Sequence, residues 1–177
     1  MKALVVYESM FGNTHEVAEH IGAGLCAAGV KVDVVHVRDC VEDAVRGSDL
    51  LVVGGPTHVH TMTGPRSRKA AADRASATRQ VLEPAAAGEG LREWFDTVPD
   101  VGGVAAVAFD TRQDAPKALT GQASRRIRSE LLRHGFRVVA PPQSFLVDKR
   151  PRLLAGEAER AQQWGETVAE LCALRSD

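Results

Sequence analysis

A doubly wound α/β fold with a parallel sheet is what this 177-residue chain predicts. Two observations carry that reading. Short apolar segments alternate with amphipathic helical stretches throughout the chain. The first apolar segment, Ala3 to Tyr7, is also continuous rather than alternating, as expected of a strand covered on both faces. No internal repeat interrupts the pattern, and the length fits one domain with a sizeable core.

The elements follow in order. Thr14 to Ala28 reads as a helix with Val17, Ile21, Leu25 and Ala28 on one face, ended by Gly29. Val30 to Val37 is the second strand. Asp39 and Glu42 have the spacing of a capping box for a short helix over about Cys40 to Arg46. Leu50 to Val53 is the third strand, and Gly54-Gly55-Pro56 predicts a tight turn closing it. Gly64 to Ala75 reads as a helix, since Pro65 suits a first helical position. Residues 77–90 are rich in Ala and Gly, contain Pro84 and lack a period, so a flexible surface excursion is expected. Leu91 to Phe95 makes a helical turn or two, with Trp94 or Phe95 packing inward. Val104 to Phe109 is the fourth strand. Thr120 to His134 is a helix with Ala123, Ile127 and Leu131 inward, ended by Gly135. Phe136 to Val147 is a fifth strand interrupted at Pro141-Pro142. Glu157 to Leu174 is the last helix, with Ala161, Trp164, Val168 and Leu171 inward.

Composition narrows the function. Net charge is −1 and the pI about 6.6, so no nucleic-acid surface is indicated. No apolar run approaches the roughly 20 residues that span a bilayer, and the first strand begins at once without a signal peptide, so a cytoplasmic protein without membrane insertion is expected. Cys26, Cys40 and Cys172 form no metal-ligand or CxxC pattern and read as buried free thiols.

In a sheet of this class ligands sit beyond the carboxyl ends of the strands. The first such end is Ser9-Met10-Phe11-Gly12-Asn13-Thr14, a short loop running straight into a helix. Backbone N–H groups at a helix N-terminus suit an anion, and Ser9 and Thr14 add hydroxyls. Without Lys or Arg in the loop, a mononucleotide phosphate would be held by neutral donors and the helix dipole. The spacing is neither that of a dinucleotide loop nor that of a P-loop.

The second end, Pro56-Thr57-His58-Val59-His60, offers N–H groups, a hydroxyl, two imidazoles and an apolar side chain, a set suited to a flat heterocycle. Two His at i and i+2 could also hold a metal, but no acid or Cys is close in sequence, and none is assigned. The third end, Asp110-Thr111-Arg112, could place backbone donors and a positive charge beside an anionic ring. No Gly-x-Ser-x-Gly elbow or Walker motif points to a hydrolase or kinase. A receiver domain would need an acidic cluster where this chain has Glu8 alone and Gly54-Gly55.

Taken together the three loops resemble the flavodoxin family. Ser9-Met10-Phe11-Gly12-Asn13-Thr14 looks like its phosphate loop, Gly54-Gly55-Pro56-Thr57 like the start of its first flavin-ring loop, and Phe109-Asp110-Thr111-Arg112 falls where the second ring loop belongs. The Gly-Gly-Pro-Thr-His-Val-His segment is similar to that of actinobacterial members. The resemblance implies a three-layer sandwich with five parallel strands in the order 2-1-3-4-5, FMN as cofactor and electron transfer as the chemistry. It implies that Ser9, Met10, Phe11, Gly12, Asn13 and Thr14 hold the phosphate. Pro56, Thr57, His58, Val59 and His60 would line one side of the ring, and Asp110, Thr111 and Arg112 the other.

The chain departs from the family in three ways. Neither ring loop carries an aromatic beyond histidine and the strand-end Phe109, so stacking worth about 1 kcal/mol per pair is missing or reduced and weak FMN binding is expected. No Gly lies between Gly55 and Gly64, so a peptide flip toward reduced flavin would be strained and one-electron poise weak. Arg66, Arg68, Lys69 and Arg74 follow the first ring loop, and Arg112, Lys117, Arg125, Arg126 and Arg128 the second. If those cations rim the site they favour an acidic redox protein or a phosphate-bearing cosubstrate as electron donor or acceptor. Three functions stay open: an FMN electron-transfer protein, an FMN-dependent NAD(P)H:quinone-type reductase, and a non-redox scaffold.

Overall fold

The computed structural model describes residues 1–58, 61–78, 81–84, 86, 88–150 and 152–174. The elements are β1 (Lys2–Tyr7), α1 (Asn13–Ala27), β2 (Lys31–His36), α2 (Glu42–Arg46), β3 (Leu50–His58), β4 (Thr61–Met62), α3 (Pro65–Thr78), α4 (Leu91–Phe95), β5 (Ala105–Gln113), α5 (Lys117–Thr120), α6 (Ala123–Arg133), β6 (Arg137–Val138), β7 (Gln143–Val147) and α7 (Glu157–Ala173).

The sheet is parallel in the order β2-β1-β3-β5, and its far edge is shared by two short strands. β6 pairs with the start of β5 through Ala105↔Arg137, and β7 with its end through Phe109↔Gln143 to Gln113↔Val147. The expected order 2-1-3-4-5 is therefore present, with the fifth strand in two pieces. The break falls at Pro141-Pro142, where two residues without N–H donors cannot continue the ladder.

Alternate residues of each strand feed two cores. Ala3, Val5, Tyr7, Leu50, Val52, Val107, Phe109 and Phe145 face α1 and α7. Leu4, Val6, Leu51, Val53, Ala106 and Ala108 face α2, α4 and α6. Burying one such side chain contributes about 1.5–3 kcal/mol, and helices on both faces explain why the strands read as unbroken apolar runs. α1 and α7 meet at backbone distance. A Cβ on Gly24 would lie 2.0 Å from the Gln162 carbonyl oxygen, and one on Gly165 2.3 Å from that of Ile21.

Several sequence expectations change. The third strand continues through Gly54-Gly55-Pro56 instead of turning. A Cβ on Gly54 would sit 2.0 Å from Phe109 Cζ, and one on Gly55 2.7 Å from Leu91 Cδ1, so these glycines admit neighbouring side chains to an extended strand. Likewise Asp110, Thr111 and Arg112 belong to β5. The capping box at Asp39 does not form: Val37–Asp39 is a 3₁₀ turn, and α2 starts at Glu42, whose carboxylate takes two bonds from Arg46. The helix expected from Thr120 is divided by Gly121, at φ 74°, into α5 and α6. Only Cys172 is a buried thiol; Cys40 is half-buried and Cys26 exposed. No helix among the described residues is long and apolar enough to cross a membrane.

Candidate functional site

β1 ends at Tyr7, and the chain turns into α1 through five residues. Gly12 makes the turn at φ 90°, in the left-handed region, and caps α1. Its N–H donates to Ser9 Oγ at 3.1 Å. A Cβ there would have space, the nearest atom being Glu83 Oε1 at 3.9 Å, so backbone conformation is what selects glycine. Ser9, Met10, Asn13 and Thr14 are buried. Met10 packs with Ala71 of α3 and with Ala86, and the Glu83 N–H donates to the Met10 carbonyl at 3.0 Å. The described part of the 77–90 segment thus rests on this loop; residues 79, 80, 85 and 87 lie outside the described residues.

The loop is braced from behind by a buried charge network. Glu8 is 3% exposed. One carboxylate oxygen accepts from the Thr63 hydroxyl, and the other from the Leu91 N–H at 2.9 Å. Arg68, itself 6% exposed, places Nη1 3.8 Å from Glu8 and donates from Nη2 to Glu93 Oε1 at 2.8 Å. Burial alone would raise the Glu93 carboxyl, but the bonds from Arg68 and the Gly90 N–H outweigh it and hold Glu93 below its usual value. Arg92 adds bonds to the carbonyls of Thr63 and Met62. Three segments, the Thr63 stretch, α3 and α4, are thereby fixed to the residue that precedes Ser9.

On the outer side, His15 stacks on Tyr7 with ring centroids 4.6 Å apart, and its Nδ1 lies 3.0 Å from Glu83 Oε1. Burial, then the charge of Glu83, pushes the Tyr7 hydroxyl up to about 12. Burial lowers His36, whose ring meets the edge of Tyr7.

Beyond the carboxyl ends of β1, β3, β5 and β7 opens a cleft of about 610 Å³, within the roughly 300–1,000 Å³ usual for ligand sites. It gathers Ser9, Met10, Phe11, Asn13 and Thr14 from the first loop. Pro56, Thr57 and His58 come from the end of β3, and Thr111 and Arg112 from β5. Thr14 and Thr111 bridge the first and third segments, hydroxyl to hydroxyl at 2.8 Å. Gly12 and Asp110 do not line the cleft. Val59 and His60 lie outside the described residues.

Two of the residues expected beside a ring serve α6. The Ala123 N–H donates to Thr57 Oγ1 at 2.9 Å, and the Ser124 N–H to Asp110 Oδ2 at 2.8 Å. Asp110 is fully buried with Oδ1 left unpartnered among the described residues, and burial raises its carboxyl above the usual range.

Arg112 is the cation of the cleft. It is 8% exposed, and its Nη1 donates to the carbonyls of Gln113 and Ala115 at 3.2 and 2.7 Å and to Thr120 Oγ1 at 3.3 Å. No carboxylate pairs with it among the described residues, and its buried Nε has no partner there.

The sequence reading missed two stretches of lining. Ser67, Ala70 and Ala71 of α3 form part of one wall, and Val147, Asp148 and Lys149 follow β7. The second stretch had a signal: it is another carboxyl end of a parallel strand, the position that pointed to the first three. No group of three or more metal-ligating side chains occurs among the described residues.

Comparison with known proteins agrees with the fold. The family model described as Flavodoxin matches residues 5–77, covering the first loop, β3 and nearly all of α3. A flavodoxin from the domain Archaea is similar over 98% of this chain and 99% of its own, at TM-score 0.67 and 21% identity. Oxidised Flavodoxin 1 from Bacillus cereus is similar over 96% and 98%, at 0.65 and 19%. The flavodiiron protein from Giardia intestinalis is similar over 98% of this chain and 36% of its own, at 0.63 and 19%. No curated protein matches in sequence.

Proposed function

We propose that this chain, whose residues 5–77 match the Flavodoxin family model and whose fold is that of flavodoxins, is a member of that family, binds FMN in the cleft at the strand ends and works in electron transfer. FMN is the cofactor of that family. The observation that carries the reading is the meeting of a glycine-capped helix N-terminus with three other strand ends around one cleft. The donors present suit the group. The first loop offers backbone N–H groups and the hydroxyls of Ser9 and Thr14 to a phosphate, with Met10, Phe11, Gly12 and Asn13 setting its path. Pro56, Thr57 and His58 stand along one side of the cleft, Thr111 and Arg112 along the other. When bound, FMN supplies reversible uptake and release of electrons. The chain holds the phosphate, presents the ring and keeps a guanidinium beside it. Asp110 acts through α6 rather than at the ring. A cytoplasmic site of action, with a redox protein or a small donor or acceptor as partner, completes the reading.

Titration of the apoprotein with FMN, followed by quenching of flavin fluorescence, tests it. Saturable quenching at micromolar FMN or below is expected. Unquenched fluorescence would leave the fold without its cofactor and point to a scaffold. One observation favours a second reading, an FMN-dependent NAD(P)H:quinone-type reductase. Arg112 is a buried cation that joins no ion pair among the described residues, suited to stabilise negative charge gained on reduction. Sustained turnover of a quinone with NADPH would select it over the carrier.

A further inference from the structure

The loop that follows β5 separates two hollows. Leu119 and Thr120 of α5 face the cleft, while Lys117, Ala118 and Gly121 face a depression of about 490 Å³ closed on its other side by Gln122, Arg125, Arg126 and Ser129. One short helix is thus the wall of both. From Arg112 to Ser129 the chain carries five cations against the single acid Asp114, although the whole protein has a net charge of −1.

Pairing sharpens the asymmetry. Arg126 is held by Glu130. Lys117, Arg125 and Arg128 are exposed and join no ion pair among the described residues. Lys149, on the cleft lining beyond β7, and its neighbour Arg150 are exposed in the same way. Lys2 with Asp33, Arg46 with Glu42, Lys69 with Asp73 and Arg152 with Asp148 are neutralised locally, whereas other exposed cations without an ion pair among the described residues, such as Lys31, Arg38, Arg66 and Arg137, lie on β2, just after it, on α3 and on β6. Leu119, two residues after Lys117 in the chain, is 70% exposed on the lip of the cleft. Unpaired charge of one sign beside an apolar projection has the anatomy of an encounter surface, in which the charge steers and the apolar residue anchors.

We infer that the α5–α6 face, with Lys117, Arg125 and Arg128 as its unpaired cations and Leu119 at its border with the cleft, docks an acidic redox protein over the cleft. This rests on the FMN reading for its purpose, but the docking itself can be tested without it.

The test uses two haem proteins of opposite charge as probes, cytochrome b5 (acidic) and cytochrome c (basic). The FMN-loaded protein is photoreduced and mixed with each, and the bimolecular rate is measured from low to high salt. The rate with cytochrome b5 should fall about tenfold or more as salt rises, while that with cytochrome c should not fall. Lys117→Glu with Arg125→Glu, both outside the cleft lining, should abolish the salt dependence with cytochrome b5 and leave FMN affinity unchanged. A rate with cytochrome b5 that ignores salt, or a charge-reversed variant that behaves like the parent, would overturn the proposal. Inorganic pyrophosphate that slows both probes equally at fixed ionic strength would also overturn it, marking the depression as a small-anion site. If the protein retains no FMN, calorimetric titration of the apoprotein with cytochrome b5 at two salt concentrations decides the docking alone. Salt-sensitive binding would support it, and no binding at low salt would end it.

Discussion

The two walls of the cleft hold their charges in opposite ways. Behind the first loop, Arg68 is enclosed by Glu8 and Glu93, and the network shows the cleft only neutral donors from Ser9 to Thr14. On the facing wall Arg112 is as deeply buried but is held by carbonyl oxygens and a hydroxyl and joins no ion pair among the described residues. One buried arginine is tied up by carboxylates; the other, on the proposed FMN reading, faces the ligand. Burial of a cation is therefore no guide to its role; what surrounds it is.

Removing each cation should separate the two roles most strongly. Arg68→Leu leaves the buried Glu8 and the part-buried Glu93 without their partner. A loss of about 3–5 kcal/mol is expected, read as a lowered midpoint in urea. Arg112→Met strands no carboxylate, so it should disturb folding far less. Its effect should fall on the reduced ligand. Losing a charged hydrogen-bonding group is worth about 1.5–3 kcal/mol, which lowers the two-electron potential of bound FMN by roughly 30–60 mV, at about 30 mV per 1.4 kcal/mol. A potential unmoved in this variant would place Arg112 with Arg68 among the architectural residues.

Gly12→Val tests the neutral wall itself. The space is open, so the effect must come through the left-handed backbone, whose strain is about 1–3 kcal/mol for a side-chain-bearing residue. FMN affinity should fall about tenfold, since 1.4 kcal/mol is a factor of ten. Gly12→Asn, which tolerates that conformation better, should lose less.

The smallest effect concerns Asp110 on the cationic side. Its carboxyl is raised above 3.8 by burial. Its contribution to stability is then fully present below about 3.8 and is lost as pH rises through the raised value. Asp110→Asn keeps an oxygen for the Ser124 N–H and carries no charge. Urea unfolding should find this variant at least as stable as the parent at pH 7, with the advantage gone by pH 3.5. An advantage that did not depend on pH would assign the effect to packing.

The neutral wall was legible in the sequence because it is local. An apolar strand, a loop ending in Gly12 and a helix period follow within about twenty residues, and the structure repeats that order. The cationic wall and the middle strand were misread at the same point. Gly54 and Gly55 look like turn residues until the Phe109 ring and Leu91 are brought against them, and those contacts span more than thirty residues. Arg68 read in the sequence only as one of the cations after the first ring loop, since it matches Glu8 and Glu93 only across the folded distance. Gly121 could have warned that one helix was two.

The divided far edge of the sheet has a consequence for behaviour in a crowd. An edge strand presents unpaired N–H and C=O groups on which a strand from another molecule can grow. Here the row is cut at Pro141-Pro142, and each piece is short: two residues in β6 and five in β7. The opposite border, β2, carries exposed Lys31 and Asp33. Neither border offers the long, flat, uncharged template that fibrous self-association requires. The sheet therefore resists recruitment into cross-chain ladders even where the chain is concentrated.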